Sequence, residues 1–129
     1  MSAKILIVED NADSCAYLAR LLEVKGYIVF TAKDGLEALQ EIEAYNPDLI
    51  VSDIVTPRVD RIQMVKALRA IPKYQNIPVL MISAFGSGNL HEAIKAGANE
   101  AMRKPIDFDQ FFQSLDNLLS ENRYTTNWR

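Results

Sequence analysis

Leu49-Ile50-Val51 is a continuous apolar run, entered from Pro47 and left towards Pro57, that delivers a carboxylate, Asp53, to its far end. The run is too short for a helix, and a strand that is apolar at consecutive positions is buried on both faces. Such a strand requires a sheet covered by helices on each side. An acid at its end stands where ligands bind in sheets of that kind.

The rest of the chain supplies the covering. Further strands are predicted at Lys4–Val8, Tyr27–Thr31, Val79–Ser83 and, more weakly, Glu100–Arg103. Between them lie segments of helical spacing. The first starts near Asp13, read as a helix cap, carries Tyr17, Leu18, Leu21 and Leu22, and stops at Gly26. The second opens at Asp34-Gly35 with Leu36, Leu39 and Ile42 as its inner face. The third carries Ile62, Val65 and Leu68, the fourth Leu90, Ala93 and Ile94 before Gly97, and the last Phe108, Phe111, Phe112, Leu115, Leu118 and Leu119. Regular alternation of this kind implies an α/β fold, a doubly wound five-stranded parallel sheet with five helices on its two faces. With 129 residues the expectation is one domain over residues 1–121, followed by a polar tail, 122–129.

Charge and composition exclude several functions. A net charge of -3 with no basic cluster argues against nucleic acid. Neither a leader nor an apolar run long enough to span a bilayer is present, so a soluble, cytoplasmic protein without membrane contact is expected. Cys15 is the single cysteine and reads as a bystander, and His91 as a solvated histidine.

The chemistry sits at the strand ends, which place Glu9, Asp10, Asp53, Ser83 and Lys104 in one group. Three converging carboxylates repel one another unless a cation neutralises them, and oxygen ligands of this type suit Mg²⁺. Glu9 and Asp10, adjacent on one turn, are the metal-side acids. Asp53, the acid centred at a buried strand end, is the nucleophile for phosphoryl acceptance on a carboxylate. A lysine and a hydroxyl across the crevice suit the remaining phosphoryl oxygens, although Ser83 and Lys104 alone would read as an ordinary strand-end hydroxyl and a surface lysine.

Taken in order, Ile5-Leu6-Ile7-Val8-Glu9-Asp10-Asn11, Asp34-Gly35-Leu36-Glu37-Ala38-Leu39, Pro47 to Asp53, Met81-Ile82-Ser83-Ala84, Gly97-Ala98 and Lys104-Pro105 resemble the receiver domain of bacterial two-component response regulators, from Lys4 to about Ser120. The resemblance implies a flavodoxin-like strand order 2-1-3-4-5. It also implies phosphoryl transfer to Asp53 from a sensor histidine kinase or phosphotransfer protein, with Mg²⁺. The backbone carbonyl of Val55 becomes a further metal ligand, Ser83 and Lys104 contact the phosphoryl group, and Lys104-Pro105 is expected to be cis. The face of the fourth helix, fifth strand and last helix is the implied output surface and candidate homodimer contact. A stand-alone regulator or phosphorelay intermediate is expected, whose output is binding of another protein, in a pathway that the sequence does not name. The chain is not expected to be an enzyme beyond its own phosphorylation and slow dephosphorylation.

Several residues depart from the family pattern. Ala101 stands where an aromatic residue usually relays phosphorylation to the surface, and Thr56-Pro57 and Asp60-Arg61 replace Met-Pro and Asp-Gly. Arg61 is thereby expected to place a cation near the site mouth, in a loop of altered shape. Val55 and Phe85, both apolar, give no group to position a water, which predicts slow hydrolysis of the phosphoform. These departures leave a second reading, a degenerate receiver that binds partners without phosphorylation. A flavin or nucleotide binder on the same architecture is disfavoured, because the turn Glu9-Asp10-Asn11-Ala12-Asp13 would repel a phosphate in the absence of a metal.

Overall fold

The computed structural model describes residues 2–54, 60–83 and 89–127. Five strands, β1 (Lys4–Val8), β2 (Ile28–Ala32), β3 (Leu49–Ile54), β4 (Val79–Ser83) and β5 (Glu100–Arg103), alternate with helices α1 (Ala12–Val24), α2 (Gly35–Tyr45), α3 (Asp60–Ala70), α4 (Asn89–Ala96) and α5 (Phe108–Asn127). Pairing is parallel throughout, in the order β2-β1-β3-β4-β5, as the resemblance implied. The winding reverses between β1 and β3, which makes the carboxyl ends of those two strands the crevice of the fold.

Alternation along the strands divides the core into two layers. Leu6, Val8, Ile50 and Val79 pack with Ala38, Ile42, Val65, Leu68 and Ala93 from α2, α3 and α4. On the opposite face Ile5, Ile7, Leu49 and Val51 pack with Leu22 of α1 and with Phe111, Leu115, Leu118 and Leu119 of α5. Leu49, Ile50 and Val51 are buried on both sides, as their unbroken apolar run requires. Asp48 pins the start of β3 against β1: its Oδ2 accepts from the Lys4 N–H at 2.7 Å and its own N–H donates to the Lys4 carbonyl, also at 2.7 Å.

The helix faces differ from expectation in detail. In α2 the buried positions are Gly35, Ala38 and Ile42, whereas Leu36 is 71% exposed. Small residues at the contact bring α2 close to the sheet and rotate Leu36 outwards. Asn11, not Asp13, caps α1, its side chain accepting from the Ser14 N–H at 2.8 Å. Helix α5 continues to Asn127, past Glu121 where the polar sequence begins. Gly26 and Gly97, with φ of 100° and 122°, stop α1 and α4 in the left-handed region, as glycines at those places should. Among the described residues, no helix is long and apolar enough to cross a membrane.

Candidate functional site

The site is assembled from three strand ends. Glu9 and Asp10 follow β1, where the Glu9 N–H donates to the Ala32 carbonyl at 2.9 Å and ties the turn to the end of β2. Glu9 Oε2 accepts from the Asn11 N–H at 3.0 Å, so the residue that caps α1 also orients the glutamate. Asp53 is the last residue but one of β3 and is itself only 7% exposed. The β1–β3 register, which finishes at Val8 opposite Ser52, puts Asp53 across from Glu9.

Carboxylate oxygens from Glu9, Asp10 and Asp53 all lie within 4.8 Å of one another. Opposite them, Lys104 Nζ stands 3.4 Å from Asp53 Oδ1, an ion-pair distance, yet that oxygen accepts no hydrogen bond among the described residues. Burial pushes the Glu9 carboxyl above its ordinary value of 4.5, opposed by the hydrogen bond from Asn11 and reinforced by the charge of Asp53. A set made entirely of carboxylate oxygens, with one buried oxygen lacking a donor and one acid resisting ionisation, fits a hard divalent cation.

Lys104 is positioned from β4. Its backbone N–H donates to the Ser83 carbonyl at 2.9 Å, and the bond to Pro105 is cis. Ser83 itself is fully buried at the end of β4, in register with Ile54 and Arg103. The structure thus gathers Glu9, Asp10, Asp53 and Lys104 closely, with Ser83 at the adjoining strand end. Val55, Thr56, Pro57 and Phe85 lie outside the described residues. Beside Asp53 opens a cleft of ≈ 320 Å³ whose wall includes Lys104, Tyr17, Leu18, Ile106 and Phe108.

Arg61 is not at the mouth of this site. It lies in α3 with no exposed surface, and its guanidinium donates from Nη1 to the Asp53 carbonyl at 2.8 Å and from Nη2 to the Lys33 carbonyl at 2.9 Å. The expected loop cation is therefore an internal strut, because a planar fork that satisfies two carbonyls at once offsets the cost of burying its charge. A signal for this existed. Arg61, Met64, Val65 and Leu68 follow helical spacing, which puts the arginine on the inner stripe of α3.

The family described as the response regulator receiver domain matches residues 5–116. The chain is 33% identical over 122 residues to the polar-differentiation response regulator DivK of Brucella ovis, a match covering 94% of this chain and 99% of DivK. It is 35% identical over 117 residues to hybrid signal transduction histidine kinase D of Dictyostelium discoideum, where 90% of the chain matches but only 8% of the much longer kinase is spanned. The solved signal receiver domain of a signal transduction histidine kinase from Syntrophus aciditrophicus superimposes with a TM-score of 0.85 at 28% identity, over 93% of this chain and 92% of that one.

Proposed function

The chain belongs to the response regulator receiver domain family of two-component signal transduction, and we propose that it accepts a phosphoryl group on Asp53 and so switches its contacts with other proteins. The observation that carries this reading is the Asp53 carboxylate: 7% exposed at a strand end, 3.4 Å from the Lys104 ammonium and beside two further acids. Buried carboxylate oxygens are ordinarily hydrogen-bonded, and Asp53 Oδ1 accepts no such bond among the described residues, its ammonium neighbour standing at ion-pair distance. An oxygen reserved for a new covalent bond has a reason to be so.

In the proposed reaction, an Asp53 oxygen forms the O–P bond while the N–P bond of a kinase or phosphotransfer-protein phosphohistidine breaks. The electron pair of that bond stays on the imidazole nitrogen. Lys104 balances charge on the phosphoryl oxygens, and the Ser83 hydroxyl donates to one of them. Glu9, Asp10 and Asp53 would hold Mg²⁺, with the Val55 carbonyl added by the family pattern; bound there, the ion neutralises the phosphoryl and carboxylate charge. The apolar wall formed by Tyr17, Ile106 and Phe108 offers the donor protein a surface next to the reacting carboxylate.

Incubation with acetyl phosphate and Mg²⁺, followed by intact-mass measurement, tests this reading. The wild-type chain should gain about 80 Da, one phosphoryl group, and the Asp53→Ala variant nothing. A folded wild-type chain that gains no mass supports the phosphorylation-independent alternative instead.

A further inference from the structure

Arg61 occupies a place that neither the acidic cluster nor the lysine explains. Ile50 donates its N–H to the Pro78 carbonyl of the β4 side, so alternation along β3 turns the carbonyl of Asp53 the other way, towards β1. Pairing with β1 has already ended at Val8 and Ser52. The carbonyl of the candidate phosphoacceptor thus faces the end of its ladder, and the Arg61 guanidinium supplies a donor there at 2.8 Å.

The other arm of the fork, from Nη2, reaches the Lys33 carbonyl at 2.9 Å, directly after β2. That segment is itself braced. The Lys33 N–H donates to Glu37 Oε1 at 3.0 Å, the Glu37 N–H to Asp34 Oδ1 at 2.8 Å, and the Ala32 carbonyl accepts from Glu9. One buried guanidinium therefore connects the end of β3 to the end of β2, and through Ala32 to the turn that bears Glu9 and Asp10. Fixing the Asp53 carbonyl fixes the peptide plane that follows it, and with that plane the direction in which the Asp53 carboxylate leaves the strand.

We propose that Arg61 is a positioning residue for phosphoryl acceptance, aiming the Asp53 carboxylate by holding the Asp53 and Lys33 carbonyls together from inside the fold. The inference rests on the reading of Asp53 as phosphoacceptor. It concerns the rate of the bonded complex rather than capture of the donor, since Arg61 is buried and touches the acceptor through its main chain.

The test follows phosphorylation of wild-type, Arg61→Met and Arg61→Lys chains by intact mass over a range of acetyl phosphate concentrations at fixed Mg²⁺. A wild type that is never labelled sinks the phosphoacceptor reading itself. Where the wild type is labelled, Arg61→Met should react about ten- to a hundredfold more slowly at saturating donor, as expected for a displaced reacting group. Its half-saturating donor concentration should be little changed, and Arg61→Lys should recover part of the rate. Equal rates in wild type and Arg61→Met, or an Arg61→Lys chain no faster than Arg61→Met, overturns the proposal. A measurement on the wild type alone stands in if the variants do not fold: the guanidinium nitrogen resonances of Arg61 should shift when Asp53 is phosphorylated, and resonances that stay in place contradict the role.

Discussion

Glu9 is held by opposing forces: burial raises its carboxyl above 4.5, while the Asn11 N–H favours the ionised form. A raised value in the folded state means that the fold favours the protonated acid. The associated stability is fully present below about 4.5 and is lost as pH rises through the folded value. In the presence of a chelator, wild-type Tm should therefore fall relative to that of Glu9→Gln as pH increases from 4.5, with melting curves across pH as the measurement. Adding Mg²⁺ should raise Tm in the wild type more than in the variant. Superimposable pH profiles would show that Glu9 carries no such strain. The residues of this site were unequally legible. The place of Asp53 at a buried strand end was readable because a run apolar at consecutive positions is buried on both faces, and that of Lys104 because family motifs marked the strand end before it. Arg61 was misread, since a lone arginine beside a loop is ordinarily solvated, and its place on the inner stripe of α3 emerges only when its spacing to Met64, Val65 and Leu68 is weighed against its charge.

At the level of elements, helix α2 shows how a stripe of apolar residues leaves the inner face undecided. Leu36, Leu39 and Ile42 satisfy helical spacing, but Gly35, Ala38 and Ile42 satisfy it equally, and the second set is fully buried, while of the first Leu39 packs partly buried against the core and Leu36 faces outwards. The smaller set wins because it lets α2 approach β1 and β2 closely, and close packing fills the layer better than a leucine held at a greater distance. Ala38 has no exposed surface, so Ala38→Leu should overpack this layer and destabilise the fold by about 1–3 kcal/mol. Leu36→Ala, on the exposed side, should change stability by no more than about 0.5 kcal/mol in either direction. Urea unfolding of both variants measures the contrast; a larger loss from Leu36→Ala would reverse the assigned face. The turns were harder to read than the strands for a related reason. Asn11 and Asp13 are both capable helix caps, and the choice fell to Asn11 because Glu9 accepts from its N–H while its own side chain reaches Ser14.

The whole molecule is a two-layered sandwich of helices around one parallel sheet, and its architecture was the most legible level of all. Strand and helix periods alternate five times, and at this chain length parallel pairing with right-handed connections leaves few arrangements. The end of α5 was less legible. Beyond Ser120 the sequence loses its apolar stripe, yet it contains no glycine or proline to break the backbone, and the helix runs on to Asn127. What the fold accomplishes is convergence on Asp53 from both layers. Its carboxylate opens into the cleft beside α1 and α5, and its carbonyl is gripped by Arg61 from α3 on the other side. The central claim is that this carboxylate is where the phosphoryl group goes. The chain should be phosphorylated with acetyl phosphate and Mg²⁺, reduced with borohydride, which converts an aspartyl phosphate to homoserine, then digested and sequenced by mass spectrometry. The account predicts homoserine at position 53 alone; homoserine at Asp10 or at another acid, with Asp53 intact, would contradict it.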